Sequence, residues 1–144
     1  MRIEYGKVAP EGMKALLALG KYAHDSGLEK SLIELVYMRA SQINGCAFCL
    51  DMHGKILRRD QVDVDKLLQL PVWCESPQFS EREKAALAWA EAVTEVADSR
   101  VPDDVYARAR AQFSEKELVD LTLAITTINA HNRLAIAFRR EPGK

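Results

Sequence analysis

Turn-forming residues are scarce in this chain: 7 glycines and 5 prolines in 144 residues are too few for a turn-rich β-sandwich. Charge of one sign is also lacking. Lysine and arginine total 20 against 21 aspartates and glutamates, a net charge of −1. The clustered positive charge that displaces counterions from nucleic acid is therefore missing, and no nucleic-acid partner is expected. The three cysteines are an odd number in a chain large enough to build a core without staples, so a disulfide framework is excluded. The opening residues, Met1-Arg2-Ile3-Glu4-Tyr5-Gly6-Lys7, hold no apolar run and no small-residue cleavage site, which gives the expectation of a cytoplasmic protein. An uninterrupted apolar span is missing too. The greasiest stretch, Leu118 to Phe138, is broken by Asp120, Asn129, His131, Asn132 and Arg133, all expensive in hydrocarbon, so no membrane association is expected.

What remains, 48% hydrophobic and 28% charged residues, is the composition of one soluble globular domain over residues 1–144. Its periodicity is helical nearly throughout, and no strand is expected. Pro10 opens a first helix that Gly27 ends. Leu28 to about Ile43 forms a second, with Leu32, Leu35, Val36 and Arg39 on one strip, stopped by Asn44-Gly45. A third runs from Cys46 to about Arg59, and a shorter one from Val64 to Leu70. Pro71 to Pro77 reads as a loop. Ser80-Glu81-Arg82-Glu83 and Ser114-Glu115-Lys116-Glu117 are capping boxes, the first opening a helix to about Ala97 and the second the apolar helix 118–138. Between them, Pro102-Asp103-Asp104 starts a helix that ends near Phe113. These elements predict an all-α bundle of antiparallel helical hairpins. A helix apolar on most of its circumference needs cover on several sides, for which burial at a subunit interface is preferred over a central place in a monomer.

The chemistry concentrates in Cys46-Ala47-Phe48-Cys49-Leu50-Asp51-Met52-His53. Helical spacing of three and four puts Cys46, Cys49 and His53 on one stripe. A thiol at a helix N-terminus meets unpaired N–H groups and the positive end of the dipole, which lower its pKa toward neutrality; this favours Cys46 as the reactive thiolate. His53, one turn from Cys49, couples most directly to Cys49. Glu34 lies in the apolar run Leu32-Ile33-Glu34-Leu35-Val36, where an unpartnered carboxylate would be costly. If the second and third helices fold back at Asn44-Gly45, Glu34 lies roughly 15 Å and His53 roughly 12 Å from the turn, at about 1.5 Å per residue. They can face each other, with Glu34 orienting His53 and His53 moving a proton to or from Cys49.

Glu34, eleven residues, then Cys46-x-x-Cys49-x-x-x-His53 resembles the signature of AhpD-like alkylhydroperoxidases in the carboxymuconolactone decarboxylase superfamily. Ile43-Asn44-Gly45-Cys46 and Ile128-Asn129-Ala130-His131-Asn132-Arg133 also look like that family, and the likeness covers a core of about 28–138. It implies an all-helical fold assembled as a homo-trimer or homo-hexamer, with thiol-dependent antioxidant peroxidase activity and no cofactor or metal. By the same resemblance Cys49 attacks the hydroperoxide, Cys46 resolves it as a disulfide, and His53 and Glu34 relay the proton. An external dithiol, thioredoxin or a lipoyl-type group would restore the thiols. Phe48 stands where the best-known members have a second histidine, which removes one relay member. The decarboxylase branch lacks the cysteine pair.

Other readings compete. The cysteines can be plain core, or with His53 and either Cys74 or Glu34 they can bind zinc, although three ligands on one short stripe do not easily surround a tetrahedral ion. General thiol–disulfide exchange, or an oxidant-sensing oligomer without turnover, would use the same pair. Glu34 taken alone would pair with Arg39 or Lys30. Cys74 reads as a bystander, His24 as a surface residue complementing a helix dipole, and His131 as a core histidine or cavity liner. Asn132 and Arg133 are read as partners of a buried carboxylate or of a neighbouring subunit. Trp73, Phe79, Trp89 and Phe113 are candidate core.

Overall fold

The computed structural model describes residues 1–143, and the described residues form helices and turns with no strand. In chain order they are α1 (Tyr5–Val8), α2 (Pro10–His24), α3 (Lys30–Asn44), α4 (Ala47–Arg59), α5 (Val64–Leu68), α6 (Glu81–Thr94), α7 (Val96–Ser99), α8 (Asp103–Gln112) and α9 (Glu115–Ala137), with a 3-10 turn at Leu70–Val72. Pro10 stands in the first turn of α2, where its missing N–H costs nothing. Both capping boxes are complete: Ser80 and Ser114 accept from the N–H groups of Glu83 and Glu117, whose carboxylates reach back to the serine N–H groups.

Three boundaries differ from expectation. Cys46 is the N-cap of α4 rather than its first helical residue, its sulfur accepting from the Cys49 N–H at 3.3 Å. The helix expected to reach Leu70 stops at Leu68, and Pro71 enters the 3-10 turn, whose early positions tolerate a residue without an N–H. Helix α6 ends at Thr94 rather than Ala97, because the chain turns at Glu95 into α7 and the Ser99 hydroxyl donates to the Ala92 carbonyl at 2.6 Å.

Gly45 takes a left-handed conformation (φ 70°) that ends α3 and sends α4 back along it. The resulting hairpin packs through α3 against α6 and α9, and α2 covers another side of α9. Ile33, Val36, Ala40, Leu121, Ala124, Ile125 and Ile128 are buried where these helices meet. A second cluster of Leu35, Leu57, Leu70, Trp73, Phe79 and Leu87 lies under the 3-10 turn. The aromatics Trp73, Phe79, Trp89 and Phe113 are all buried, as expected. Helix α9 obtains its cover largely within the chain. Its exposed positions include Val119, Thr126 and Arg133, seven residues apart on one stripe.

Candidate active site

The α3–α4 hairpin brings the expected residues together. Glu34, on a wall of buried aliphatic side chains in α3, is 3% exposed and His53 in α4 is 5% exposed. Glu34 Oε2 lies 2.7 Å from His53 Nδ1. A carboxylate only accepts, so Nδ1 donates and Nε2 is left as the basic nitrogen of the ring. One turn toward the N-terminus of α4, Cys46 and Cys49 are joined as a disulfide with their Cα atoms 5.3 Å apart. Both cysteines are buried, packed with Ala135 and flanked by Phe48 and Ile136. In this state the sulfurs are bonded to each other and not available as metal ligands.

Two residues join the site that the sequence reading placed elsewhere or passed over. His24, at the last turn of α2, is not simply a surface residue facing the helix dipole: its Nε2 lies 3.2 Å from Glu34 Oε1. The Glu34 carboxylate therefore sits between two imidazoles, and neither Arg39 nor Lys30 is its partner. Arg39 instead donates to Glu91 at 2.8 Å, and Glu91 also accepts from the Trp73 indole at 2.7 Å. Tyr37, one turn beyond Glu34, stands between the two histidines. Its ring is edge-on to His53 at 5.1 Å and to His24 at 5.8 Å. Its hydroxyl is buried without a hydrogen-bond partner among the described residues. Burial, and secondarily the Glu34 charge, push the phenol well above its usual range, so it stays protonated. The signal for Tyr37 was its spacing of three from Glu34 on a buried strip; nothing local announced His24.

The other singled-out residues divide clearly. His131 on α9 is half-buried. Burial first, then positive charge at His53 and Arg140, holds its imidazole below the ordinary histidine value. Within the described residues, Asn132 and Arg133 are not paired with a carboxylate. Asn132 accepts from Asn44 at 2.9 Å and donates to Ser41 at 3.0 Å, while Arg133 donates to the Asn129 carbonyl and side chain. Cys74 is free and exposed. Phe48, between the cysteines, carries the Arg140 guanidinium 4.0 Å over its ring, and Arg140 also donates to the Tyr5 hydroxyl at 3.1 Å. Arg140 and Tyr5 in turn line a 770 Å³ surface groove with Met13 and Leu17.

The α3–α4 hairpin thus presents a buried CxxC disulfide one turn from a histidine–carboxylate pair on an all-α frame. The chain belongs to the carboxymuconolactone decarboxylase family, whose model matches residues 10–92. It is 41% identical to the uncharacterized protein YdfG of Bacillus subtilis, over 94% of this chain and 92% of that protein. It is similar to the crystal structure of ATU0492 from Agrobacterium tumefaciens, a protein of unknown function whose suggested identity is the antioxidant defence protein AhpD. That match has 46% identity and a TM-score of 0.95, covering 99% of this chain and 98% of that one. The debrominase Bmp8, solved as a cysteine-to-alanine variant in complex with 2,3,4-tribromopyrrole, shares the fold at 20% identity and a TM-score of 0.84, over 94% of this chain and 72% of that one. Among the described residues no helix is long and apolar enough to cross a membrane.

Proposed function

We propose that this protein is a thiol-dependent peroxidase in which Cys49, Cys46, His53 and Glu34 reduce hydroperoxides. The observation that carries this reading is the 2.7 Å contact between Glu34 and His53, buried and one turn from the Cys46–Cys49 disulfide. Its likeness to ATU0492, whose suggested identity is an antioxidant defence protein, supports the same reading. The Cys49 thiolate attacks the distal oxygen of the hydroperoxide; the O–O bond breaks, the alcohol leaves with a proton from His53, and Cys49 becomes a sulfenic acid. The Cys46 thiol condenses with it, releasing water and closing the disulfide. An external dithiol, of the thioredoxin or lipoyl kind, gives two electrons to reopen it and is itself oxidised, releasing two protons while the two regained thiols take up two. Two lines of argument still bear on which sulfur attacks. The helix-terminus effect falls on Cys46, the N-cap, whereas proximity to His53 falls on Cys49, which we assign as nucleophile.

A cycle of this kind needs a reducing compartment, so cytoplasmic location belongs to the proposal. Assembly as a homo-trimer or homo-hexamer also belongs to it, supported by apolar side chains left exposed on the single chain, among them Val8, Leu17, Leu68 and Val72. A second reading, general thiol–disulfide exchange, is favoured by Phe48, which places no ionisable group between the cysteines. Consumption of cumene hydroperoxide in steady state with dihydrolipoamide separates the two. Turnover that vanishes in Cys49→Ser and stops after a single cycle in Cys46→Ser is expected. Turnover unchanged in Cys49→Ser would overturn the nucleophile assignment. Disulfide exchange without peroxide consumption by the wild type would leave the second reading, and reversible oxidation without turnover of either kind would leave an oxidant sensor.

A further inference from the structure

Reopening the disulfide moves two protons onto sulfurs that are 0% and 1% exposed. An attacking dithiol reacts as thiolate and sheds its own protons in solvent, so protons must reach the buried pair by another way. A chain of ionisable groups leads from water toward it. The His24 side chain is 32% exposed, and its Nε2 lies 3.2 Å from one oxygen of Glu34, whose side chain is 5% exposed. The other oxygen is 2.7 Å from Nδ1 of His53, on the same helix face as Cys49. Tyr37 stands edge-on to both rings and holds the imidazoles on either side of the carboxylate. One imidazole is wet and the other dry.

We infer that His24 is the solvent port of the site, a positioning residue that takes protons from water and passes them through Glu34 and His53 to the cysteines as the disulfide is reduced. The balance is simple. The external dithiol loses two electrons and two protons, the latter to water; the Cys46–Cys49 bond breaks and accepts the electrons; two protons enter in turn through His24. The groups facing this path are Asp25, bound by Lys21, on and just after α2; Glu34 and Tyr37 on α3; His53 on α4; and, beyond His53, His131 on α9 with Arg140. The inference rests on the thiol-redox reading of the site but not on a hydroperoxide being its oxidant.

The test is stopped-flow reduction of the oxidised full chain by dithiothreitol in wild type, His24→Gln and His24→Ala, each also measured for melting temperature. Taking the ratio of wild-type to variant rates at each pH cancels the ionisation of dithiothreitol itself. Glutamine keeps a donor toward Glu34 but cannot titrate. Both variants are expected to be slowed about tenfold near neutral pH, less than the roughly 10²-fold effect of a direct general acid or base because His24 acts through two other groups, with a ratio that changes with pH. Imidazole added to His24→Ala should restore most of the rate, because the cavity opens to solvent. A His24→Gln protein with the wild-type rate at every pH would overturn the inference. So would a loss that is constant with pH, insensitive to imidazole and matched by a lower melting temperature, which marks a structural role. If the wild type consumes no hydroperoxide while dithiol reduction still depends on His24, the peroxidase reading falls and the port stands. Peroxide turnover that depends on Cys49 but not on His24 gives the reverse.

Discussion

Two buried polar clusters lie on either side of the α3–α4 hairpin, and they are built on opposite rules. The cluster around α9 uses side chains that do not titrate: Asn44 donates to Asn129 and Asn132 at 2.9 Å, Asn132 to Ser41 at 3.0 Å, and Asn129 to Thr94 at 3.0 Å. Each amide there bonds across a helix boundary, Asn44 and Asn132 between α3 and α9 and Asn129 from α9 to both α3 and α6, which is how polar groups between helices pin one packing arrangement. The cluster around Glu34 uses a carboxylate, two imidazoles and a phenol, and leaves the Tyr37 hydroxyl without a partner among the described residues. A network that only holds helices together gains nothing from titratable members or spare donors, whereas one that moves protons requires them. On the proposed function, the contrast separates a network that holds helices together from one that moves protons.

The contrast is sharpest where one substitution should stop chemistry and another should loosen the fold. Glu34→Gln keeps the shape but weakens the hold on the His53 proton, and disulfide reduction and peroxide turnover are expected to fall by about 10²-fold. Single-turnover kinetics check this, and a rate within twofold of wild type would erase the distinction between the clusters. Asn132→Leu removes partners from Asn44 and Ser41 together. It is expected to lower unfolding free energy by about 2 kcal/mol with catalysis in the folded fraction unchanged, as urea titration and turnover on one sample would show. Ser114→Ala, remote from both clusters, removes one half of a capping box and is expected to cost about 1 kcal/mol, a yardstick for purely local effects in the same titration.

Acid should act on the neighbour of both clusters. The His131 imidazole is held below its ordinary value by burial and by positive charge, so the unfolded chain binds its proton more readily than the folded one. The stability associated with its neutral form is present above the unfolded value of about 6.5 and is lost as pH falls from there through the lower folded value. Urea midpoints for His131→Gln should show a flatter dependence over that window than wild type; parallel curves would remove His131 from the account. The smallest effect is expected at Tyr37→Phe. Deleting a buried hydroxyl that has no partner among the described residues should leave stability within about 1 kcal/mol of wild type, on the stabilising side. A clear loss of stability would mean that the hydroxyl is hydrogen-bonded in solution.

Much of the site was legible in the chain itself, for a reason particular to the hairpin. A helix places Cys46, Cys49 and His53 on one stripe by its own pitch, and Asn44-Gly45 makes the return so short that the depth of Glu34 against His53 follows from counting residues. The same counting fails for His24. Five residues separate α2 from α3, with Gly27 at φ 101° among them, and their path is set by burial of Leu28 against the core rather than by any period in the sequence. The partner of Asn132 was not legible for a related reason. A polar residue on an apolar helix demands a partner, but the demand does not say which one: within the chain the Asn44 amide and the Ser41 hydroxyl on α3 supply it for Asn132, and Asn129 on α9 itself supplies it for Arg133.

The amino-acid order thus determined the helices, their caps and the pairing of near neighbours in sequence, since these depend on contacts within a turn or across one tight return. Tertiary packing decided which side chains arrive from distant segments: the second imidazole on Glu34, the phenol between the rings, and the cover around α9. Those contacts depend on the angles and separations at which whole helices come to rest, and these are set by the combined volume of many buried side chains rather than by any local pattern.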